Sequence, residues 1–268
     1  MGKGIFGILG KVREQKPIVH HLTNWVTIYD CANIVKVFGA SPVMAHAAEE
    51  VREMTALAHA LVLNIGTLTP ELVDAMKIAA ASANQKGIPV ILDVCGAGAT
   101  HLRDRKCAEL IQESHIDVIK GNASEVARIA GENVITKGVD SGLVEMKLEN
   151  IARRLSRKHK CCVVITGKLD IVCDEHQLYT VANGCDMMAN IVGTGCMAAS
   201  MIGTFCAVNP DMSFAAAAGL CCYEIAAEMA ARDCAGPGTF KEKLYDHAFA
   251  LDEETVKAMQ KVEKPPLE

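Results

Sequence analysis

A glycine-rich turn in the last third of the chain has the composition of an anion-binding site. Gly193, Thr194 and Gly195 precede residues 196–207, which are all small or apolar. Backbone N–H groups at a helix start, together with the helix dipole, bind anions, so a nucleotide phosphate fits this turn. The alternative is a tight turn that only leads into a core helix. A thiol at this helix start, that of Cys196, would have a lowered pKa.

Two acidic residues lie where strands are expected to end or helices to begin. Asp93 follows the apolar residues 90–92 and precedes a turn that contains two glycines. A carboxylate beside phosphates suits magnesium, so Asp93 is a candidate metal ligand. Glu125 lies at a predicted helix start and is a second candidate. As an alternative, Asp93 would cap its own loop, and Glu125 would form a capping box with Asn122.

The first fifty residues contain further polar candidates. His20 and His21 are adjacent, and adjacent side chains on a strand point to opposite faces, so we do not expect them to share a metal ion. Asn24 is a candidate polar anchor for a small ligand. Met44 follows a Ser-Pro turn, where a methionine is more often part of the core than a ligand contact.

One motif in the chain would mislead if it were taken alone. Gly193, Gly195 and Ala198 have the spacing of a dinucleotide-binding fingerprint, but the acidic residue expected about 20 positions later at a strand end is missing. The chain also lacks Walker A, H-E-x-x-H and G-x-S-x-G sequences. P-loop, zinc protease and serine hydrolase functions therefore lose their main support.

These candidates need a scaffold, and short apolar runs predict one. The runs do not alternate in polarity, which is typical of strands buried on both faces of a parallel sheet with helices on both sides. Ligands bind such sheets at the carboxyl ends of the strands. Because no linker or repeat divides the chain, we predict one α/β domain over residues 1–268. The predicted strands are residues 60–66, 89–94, 116–120 and 161–167.

Helix signals lie between and after these strands. Thr69 and Pro70 are an N-cap and a first helical residue. A basic helical pattern covers residues 148–160, and Asp211 begins another helix. Residues 187–210 carry no charge, yet the glycine turn interrupts them, so we predict a buried core helix there and no membrane span.

Charge and cysteine usage restrict the class of protein. The chain has 268 residues, half of them hydrophobic, and a net charge of −5, which argues against a nucleic-acid binder. Its twelve cysteines form no C-x-x-C pair and lie mostly in apolar runs, as buried free thiols do. The first residues show no apolar segment followed by a cleavage site. We therefore expect no secretory signal and a reducing, cytoplasmic environment.

Taken together, the motifs resemble the hydroxyethylthiazole kinase family. They occur in the family's order over about residues 17–235, and the ordered set is far more specific than any one motif. The matching segments are residues 21–24 (HLTN), 39–45 (GASPVMA), 63–68 (LNIGTL), 92–100 (LDVCGAGAT), 119–125 (IKGNASE), 165–167 (ITG) and 192–196 (VGTGC).

The resemblance implies a fold, an assembly and a reaction. It implies a ribokinase-like α/β fold, a homotrimer with active sites between subunits, and ATP-dependent phosphorylation of the primary hydroxyl of 4-methyl-5-(2-hydroxyethyl)thiazole. The site residues implied are Cys196 at the reacting hydroxyl, Asn24, Met44 and Gly193 at the thiazole, Lys120, Thr166, Thr194 and Gly195 at ATP, and Asp93 and Glu125 at Mg²⁺.

Two positions depart from the family's usual sequence. The family usually has arginine where this chain has Lys120, and lysine lacks the bidentate guanidinium, which implies weaker ATP binding. A Pro-Val pair usually follows the acid, where this chain has Val94 and Cys95. Neither change removes a group that phosphoryl transfer requires.

Three other functions stay open from the sequence. A related kinase acting on hydroxymethylpyrimidine or pyridoxal usually carries aspartate at the position of Cys196. A nicotinamide-dependent oxidoreductase would depend on the fingerprint at Gly193. A protein that binds the thiazole or a nucleotide without catalysis fits the atypical Val94 and Lys120. An assay with ATP, Mg²⁺ and the three alcohols would separate them.

Overall fold

The computed structural model describes residues 4–132 and 141–266, without the side chains of residues 141–146. The described residues form one nine-stranded sheet in the order β2-β1-β3-β4-β5-β6-β7-β8-β9. The strands are β1 (Ile18–Leu22), β2 (Ser41–Val43), β3 (Ala60–Asn64), β4 (Val90–Asp93), β5 (Val118–Asn122), β6 (Cys162–Thr166), β7 (Asp170–Cys173), β8 (Leu178–Val181) and β9 (Val262–Glu263).

The first six strands in chain order are parallel, and the last three are added antiparallel at one edge. A short 3-10 helix, Asp186–Asn190, precedes α8. The described helices are α1 (Ile5–Gln15), α2 (Ile28–Val37), α3 (Val51–Leu57), α4 (Pro70–Lys86), α5 (His101–Glu113), α6 (Ala123–Ile129), α7 (Ser141–His159), α8 (Thr194–Cys206), α9 (Met212–Asp233), α10 (Pro237–Ala250) and α11 (Glu253–Met259).

Two hydrophobic cores lie on the two faces of the sheet. Val62 of β3 belongs to the core shared with α1, α2 and α8 to α10, whereas its neighbour Leu63 belongs to the core shared with α3 to α7. Successive side chains of a strand point to opposite faces, so a strand between two cores has to be apolar at every position. The predicted mostly parallel α/β sheet with helices on both faces is thereby confirmed.

The helix starts predicted at Thr69 and Asp211 are confirmed, whereas the bounds of the predicted strands shift by one or two residues. Thr69 caps α4 by accepting a hydrogen bond from the N–H of Leu72 at 3.2 Å, and Asp211 caps α9 through Phe214 at 3.0 Å. The strand predicted at residues 116–120 begins at Val118 and runs to Asn122.

α8 packs directly on the sheet, as expected for a buried core helix. A Cβ atom at Gly203 would lie 2.4 Å from Cγ2 of Val62, so the helix backbone approaches β3 more closely than any other residue would allow. Among the described helices, α9 is long and apolar enough to cross a membrane, but most of it is buried inside the fold. Core helices of soluble proteins have the same property.

The strand register brings polar residues together at one edge of the sheet. Asn64 pairs with Asp93, Asp93 pairs with Lys120, and Asn122 pairs with Thr166. All of these residues lie at the carboxyl ends of parallel strands, where ligands bind in sheets of this kind.

Candidate active site

A cavity of about 390 Å³ lies at this edge of the sheet. It contains most of the site residues predicted from the sequence and several that were not predicted. It is lined by Asn24, Val26, Thr27, Gly66, Thr67, Asp93, Cys95, Lys120, Asn122, Glu125, Thr166, Val192, Gly193, Gly195 and Cys196.

A buried ion pair forms the floor of the cavity. Asp93 Oδ2 accepts hydrogen bonds from Asn64 Nδ2 at 2.8 Å and from Lys120 Nζ at 3.3 Å. Lys120 Nζ also donates to the carbonyl oxygen of Gly195 at 2.9 Å. Asp93 is 1% exposed and Lys120 is 4% exposed. The pair therefore connects β4 and β5 to the first turn of α8.

The charges around this pair shift both of its pKa values upward. Burial raises the pKa of Asp93; the Lys120 charge opposes the shift, and the charges of Cys196 and Glu125 add to it. Burial by itself lowers the pKa of Lys120, but the nearby negative charges outweigh it and the net shift is upward. The site thus holds more negative than positive charge, which favours a cationic ligand.

Two asparagines connect this pair to Cys196. Asn24 Nδ2 donates to Asn64 Oδ1 at 3.0 Å and to Cys196 Sγ at 3.2 Å. Asn64 Nδ2 also lies 3.4 Å from the same sulfur. Asn24 Oδ1 accepts from the Thr27 hydroxyl at 2.9 Å, which fixes the orientation of its amide. Cys196 thus receives several donors within a buried network.

These donors stabilise the thiolate form of Cys196. The neighbouring Cys95 thiol is the largest cause of the shift; burial opposes it, and the Lys120 charge and the Asn24 amide add to it. Together they lower the pKa of Cys196 to about 5. Cys196 is also the third residue of α8, where the helix dipole favours negative charge. Both effects favour the thiolate, the form that accepts a proton or a hydrogen bond.

The glycine turn before α8 depends on Gly193. Its φ of +97° is in the left-handed region, and a Cβ atom there would lie 2.6 Å from Thr27 Cγ2. Its neighbours Thr194 and Gly195 begin α8 with free backbone N–H groups, as an anion site requires. The segment before this turn is a 3-10 helix and not a strand. The dinucleotide-binding interpretation of this turn is therefore wrong, because that fingerprint directly follows a strand.

Glu125 serves as a cap in addition to lining the cavity. Its Oε1 accepts from the N–H of Gly96 and its Oε2 from the N–H of Asn122, both at 2.7 Å. Asn122 Oδ1 accepts from the N–H of Glu125 at 2.9 Å, which completes the capping box considered from the sequence. Each carboxylate oxygen keeps one lone pair that could face a cation or its water.

The positions of Asp93 and Glu125 are compatible with magnesium. Asp93 Oδ1 is buried and has no hydrogen-bond partner among the described residues. Over residues 4–132 and 141–266, no group of three or more His, Cys, Asp or Glu side chains is arranged to hold a metal ion. Mg²⁺ is usually held by one or two carboxylates, waters and substrate phosphates, so two acids are enough for a site that the phosphates complete.

A second cavity of about 730 Å³ adjoins the first. The two share Asn122, Thr166 and Gly195. Thr194 lines only the second, where its hydroxyl donates to the carbonyl of Met188 at 3.0 Å. The four residues predicted at ATP are therefore divided. Lys120 lies in the first cavity, Thr194 in the second, and Thr166 and Gly195 at their junction.

Met44 lines neither of the two cavities of its own chain. It follows β2 and is half-buried, and its carbonyl oxygen lies 3.3 Å from Nδ1 of His46. The His46 ring packs edge-on against Trp25 at 4.5 Å, so this loop lies beside the rim of the first cavity.

The two adjacent histidines are structural. His20 bonds with the Thr55 hydroxyl and the Ala45 carbonyl, each at 2.8 Å. His21 bonds with the Val19 carbonyl at 3.0 Å and the Ser200 hydroxyl at 3.1 Å. The two rings thus bond with helices on opposite faces of the sheet, as expected for adjacent residues of a strand.

Comparison with known proteins assigns the chain to a family. The model of the hydroxyethylthiazole kinase family matches residues 9–254. The chain belongs to the hydroxyethylthiazole kinase family. It is 53% identical over 256 residues to a protein of that name from Methanosarcina mazei, covering 96% of this chain and 98% of the relative.

Solved structures give the same family and the fold. A hydroxyethylthiazole kinase from Pyrococcus horikoshii is 37% identical, with a TM-score of 0.91 over 98% of this chain and 99% of that one. A ribokinase-like protein from Enterococcus faecalis is 15% identical, with a TM-score of 0.63 over 86% of each chain. At that identity it shows the fold alone. The predicted ribokinase-like fold is confirmed.

Three residues of this site were missed at the level of sequence. Asn64 and Cys95 lie in segments that carry the family resemblance, and Thr27 lies outside all of these segments, yet none of the three was predicted as a site residue. The parallel register could have indicated Asn64, because it ends β3 directly beside Asp93. Thr27 and Cys95 lie in connecting segments, and no periodic pattern indicates where such residues point.

The capping role of Glu125 leads to a first prediction. In Glu125→Gln, the new amide NH₂ faces the N–H of Gly96 or of Asn122 in place of an acceptor. We expect a loss of about 1 kcal/mol in stability, as for other lost caps, and a fall in turnover of about tenfold. Thermal melting and steady-state kinetics measure both. Glu113→Gln, on the exposed side of α5, is the matched control and should change neither.

Proposed function

We propose that this protein transfers the γ-phosphoryl group of ATP to the primary hydroxyl of 4-methyl-5-(2-hydroxyethyl)thiazole. The observation that carries the proposal is the position of Cys196, directly after the turn at Gly193 to Gly195 and inside the cavity that contains Asp93. Membership of the hydroxyethylthiazole kinase family supplies the substrate. We further propose that the reaction serves thiamine salvage.

The two adjoining cavities suggest how the substrates are arranged. The larger cavity, with Thr194 in its wall, has room for a nucleotide, and the N–H groups that begin α8 lie where the two cavities meet. The smaller cavity, with Asn24 and Gly193, has room for a thiazole. The γ-phosphate would then lie at the junction, beside Thr166 and Gly195. This is the arrangement that in-line transfer requires.

Magnesium fits the acidic side of the junction. Asp93 Oδ1 and the free lone pairs of Glu125 would hold it, directly or through water. When bound, the ion would neutralise charge on the phosphates and orient them.

The chain's own residues carry the other functions. The turn at Gly193 to Gly195 binds the transferring phosphate through N–H groups, which cost no reorganisation during the reaction. Lys120 adds positive charge and keeps α8 against the sheet. Cys196 Sγ accepts the hydrogen bond, and then the proton, of the substrate hydroxyl. Because the transition state is loose, a weak base in the right position is sufficient.

The rim of the first cavity supports assembly into a homotrimer. Trp25, Val26, Tyr29 and Val192 are all exposed, and Val26 and Val192 also line the cavity. Exposed apolar patches of this kind mark interaction sites. We propose that a neighbouring copy covers this patch and brings its own Met44 to the thiazole. Each copy acts as a single domain, because one sheet extends through the described chain.

The assembly has its own test. Tyr29→Asp should dissociate the trimer and lower turnover, because a carboxylate would be buried at the interface. Phe249→Asp is the matched control: Phe249 is also 73% exposed but lies at the end of α10. Light scattering should give the mass of three chains for the wild type and for Phe249→Asp. A fully active wild-type monomer would exclude the trimer and the role of Met44.

A direct assay tests the function. The protein is incubated with ATP and Mg²⁺ and with one of three alcohols, namely hydroxyethylthiazole, hydroxymethylpyrimidine or pyridoxal. Mass spectrometry should detect thiazole phosphate and ADP. Clean turnover of either other alcohol without thiazole phosphate would reassign the substrate. Asp93→Asn serves as a control for contaminating kinases, since their activity would not change with this variant.

The location follows from the thiols. All twelve cysteines, each of them in the described part of the chain, are free, and most are buried. We propose a cytoplasmic protein, because a reducing compartment keeps so many thiols unpaired.

A further inference from the structure

One buried side chain, that of Asn64, connects three residues of the first cavity. Asn64 ends β3 and is 1% exposed. It is not among the described residues that line either cavity, so a bound substrate would not contact it. Its side chain bonds with Asn24, Asp93 and Cys196, all of which line the first cavity. Any effect of Asn64 on the reaction therefore has to pass through these residues.

The hydrogen bonds of Asn64 use its whole amide group. Oδ1 accepts from the N–H of Gly66 at 2.8 Å and from Asn24 Nδ2 at 3.0 Å. Nδ2 donates to Asp93 Oδ2 at 2.8 Å and to Cys196 Sγ at 3.4 Å. A primary amide has two donor hydrogens and two acceptor lone pairs. Each of the four therefore has a partner.

The backbone determines which end of the amide faces the site. Because the N–H of Gly66 can only donate, the atom facing it is the amide oxygen of Asn64, and the NH₂ group points toward the acid and the thiol. A Cβ atom at Gly66 would lie 2.9 Å from Asn64 Oδ1, so the turn packs against the amide. Asn24 Oδ1 likewise accepts from the N–H of Thr27 at 3.1 Å. The donor ends of both amides thus meet at Cys196 Sγ.

The fixed NH₂ group gives the two oxygens of Asp93 different surroundings. Oδ2 accepts from Asn64 Nδ2 and Lys120 Nζ, whereas Oδ1 is buried without a partner among the described residues. Hydrogen bonds from neighbouring groups orient carboxylates that bind metal ions. A carboxylate held through Oδ2 keeps Oδ1 for a cation. An acceptor in place of the NH₂ group would leave two oxygens facing each other without a hydrogen between them.

We propose that Asn64 is a positioning residue that holds Asp93 Oδ1 in place for a cation and Cys196 Sγ in place for the substrate hydroxyl. This role rests on the proposed function, in which Asp93 binds Mg²⁺ and Cys196 accepts the proton of the hydroxyl. Asn64 sets the relative position of these two groups, because one NH₂ group bonds with both. Partners of this kind around a metal ligand typically contribute about 10- to 100-fold in metal affinity or activity.

The experiment measures metal affinity and turnover in Asn64→Ala. Mn²⁺ is titrated into protein saturated with a non-hydrolysable ATP analogue and is followed by paramagnetic resonance. Its affinity should fall by about tenfold, and kcat for the thiazole should fall by about 10- to 100-fold. The KM for the thiazole should change little, because Asn64 does not line the cavity.

Asn84→Ala is the matched control. The amide of Asn84 bonds with the N–H and the carbonyl of His115, both at 2.9 Å, and Asn84 lies outside both cavities. Asn84→Ala should lower the melting temperature and leave both Mn²⁺ affinity and kcat unchanged.

Two further variants separate positioning from folding. In Asn64→Asp, the new carboxylate keeps an acceptor for Gly66 and Asn24 but has no hydrogen for Asp93, so kcat should fall at least as far as in Asn64→Ala. Asn64→Ala added to Asp93→Asn should weaken Mn²⁺ binding no further, because the charge to be positioned is already absent. A merely structural role would give losses that multiply.

Three results would overturn the role of Asn64. They are an unchanged Mn²⁺ affinity in Asn64→Ala, full turnover in Asn64→Asp, and losses of Mn²⁺ affinity that multiply when Asn64→Ala is combined with Asp93→Asn. A wild type that phosphorylates none of the three alcohols would instead overturn the proposed function. The Mn²⁺ titration would then still decide whether Asn64 acts through Asp93, so the two failures are distinguishable.

Discussion

Asp93→Asn is expected to lower turnover by about 10²- to 10³-fold, the equivalent of several kcal/mol of charge stabilisation. Asparagine fits the space, because one amide oxygen can still accept from Asn64 and Lys120. What it cannot supply is the negative charge that Mg²⁺ needs. The same change leaves the buried Lys120 with only the Gly195 carbonyl. Removing one member of a buried ion pair costs about 3–5 kcal/mol, so the variant should also be less stable.

A second substitution separates these two effects. In Asp93→Asn combined with Lys120→Met, no buried charge is left unpaired, so the free energy of unfolding should recover. Turnover should not recover, because both charges are absent from the junction of the cavities. Denaturant unfolding and steady-state kinetics on the single and double variants measure this directly.

The control for Asp93 lies at the other end of the same sheet. Asp117 accepts a hydrogen bond from the N–H of Val90 at 2.8 Å, far from the carboxyl edge. Asp117→Asn should lower stability and leave turnover unchanged. If Asp93→Asn behaved like Asp117→Asn, Asp93 would be only the structural partner of Lys120, and the proposed magnesium site would have to be abandoned.

The layered fold could be predicted because it leaves a simple pattern in the sequence. β3 is apolar at four successive positions, since each face of the sheet has its own core. β1 lacks such a pattern, because His20 and His21 interrupt it. Their ring nitrogens find partners only in the folded chain, on Thr55 and Ser200. A single sequence does not show whether a buried histidine has hydrogen-bond partners.

The antiparallel edge was missed for a different reason. β7 and β8 contain four residues each, and β9 contains two. Runs this short are too brief for hydrophobic periodicity to distinguish them from turns. Their strand character comes from pairing with β6 and with one another, which is a tertiary interaction.

The site residues likewise divide into those that a local sequence signal indicates and those whose role depends on the tertiary structure. The acid Asp93 and the glycine turn before α8 could be recognised, because each carries a local sequence signal. Asn64 could not, because its role depends on the register that places β3 beside β4. From the sequence, Glu125 was a candidate both for a helix cap and for a metal ligand. The structure shows that Glu125 is a cap. Because each of its carboxylate oxygens keeps a free lone pair, its role as a metal ligand stays a proposal.

Cys196→Ala is expected to fold, to bind ATP and to lose turnover by about 10²-fold, the low end for the loss of a general base. The remaining activity would come from the turn at Gly193 and from Lys120, which the substitution leaves intact. ATP binding measured by calorimetry should change little. A variant that cannot bind ATP would show that Cys196 supports the phosphate site and not the hydroxyl.

The pH dependence of the reaction tests the same role. Because the site lowers the pKa of Cys196 to about 5, the thiolate is present above that pH and is lost as the pH falls through it. The rate should therefore rise through about pH 5 and then level off. The near-ultraviolet absorbance of the thiolate should follow the same curve in the wild type and be absent in Cys196→Ala.

Two substitutions at the same position separate charge from shape. Cys196→Asp should stay active, because a carboxylate can accept hydrogen bonds from Asn24 and Asn64 and can take the substrate proton. Cys196→Ser offers an oxygen of similar size that is neutral at every pH of the assay. It should resemble Cys196→Ala in rate and lose the pH limb near 5. A fully active Cys196→Ser would show that charge at this position is not needed.

The configuration at phosphorus decides whether Cys196 acts without forming a bond to the phosphoryl group. The substrate hydroxyl can attack ATP directly, so a phosphorylated thiol would remove no barrier. Direct transfer inverts a chiral γ-thiophosphate once, whereas two transfers through Cys196 would restore its configuration. We expect inversion in both the wild type and Cys196→Asp. Net retention in the wild type would make Cys196 a nucleophile, and Cys196→Ala would then retain no activity at all.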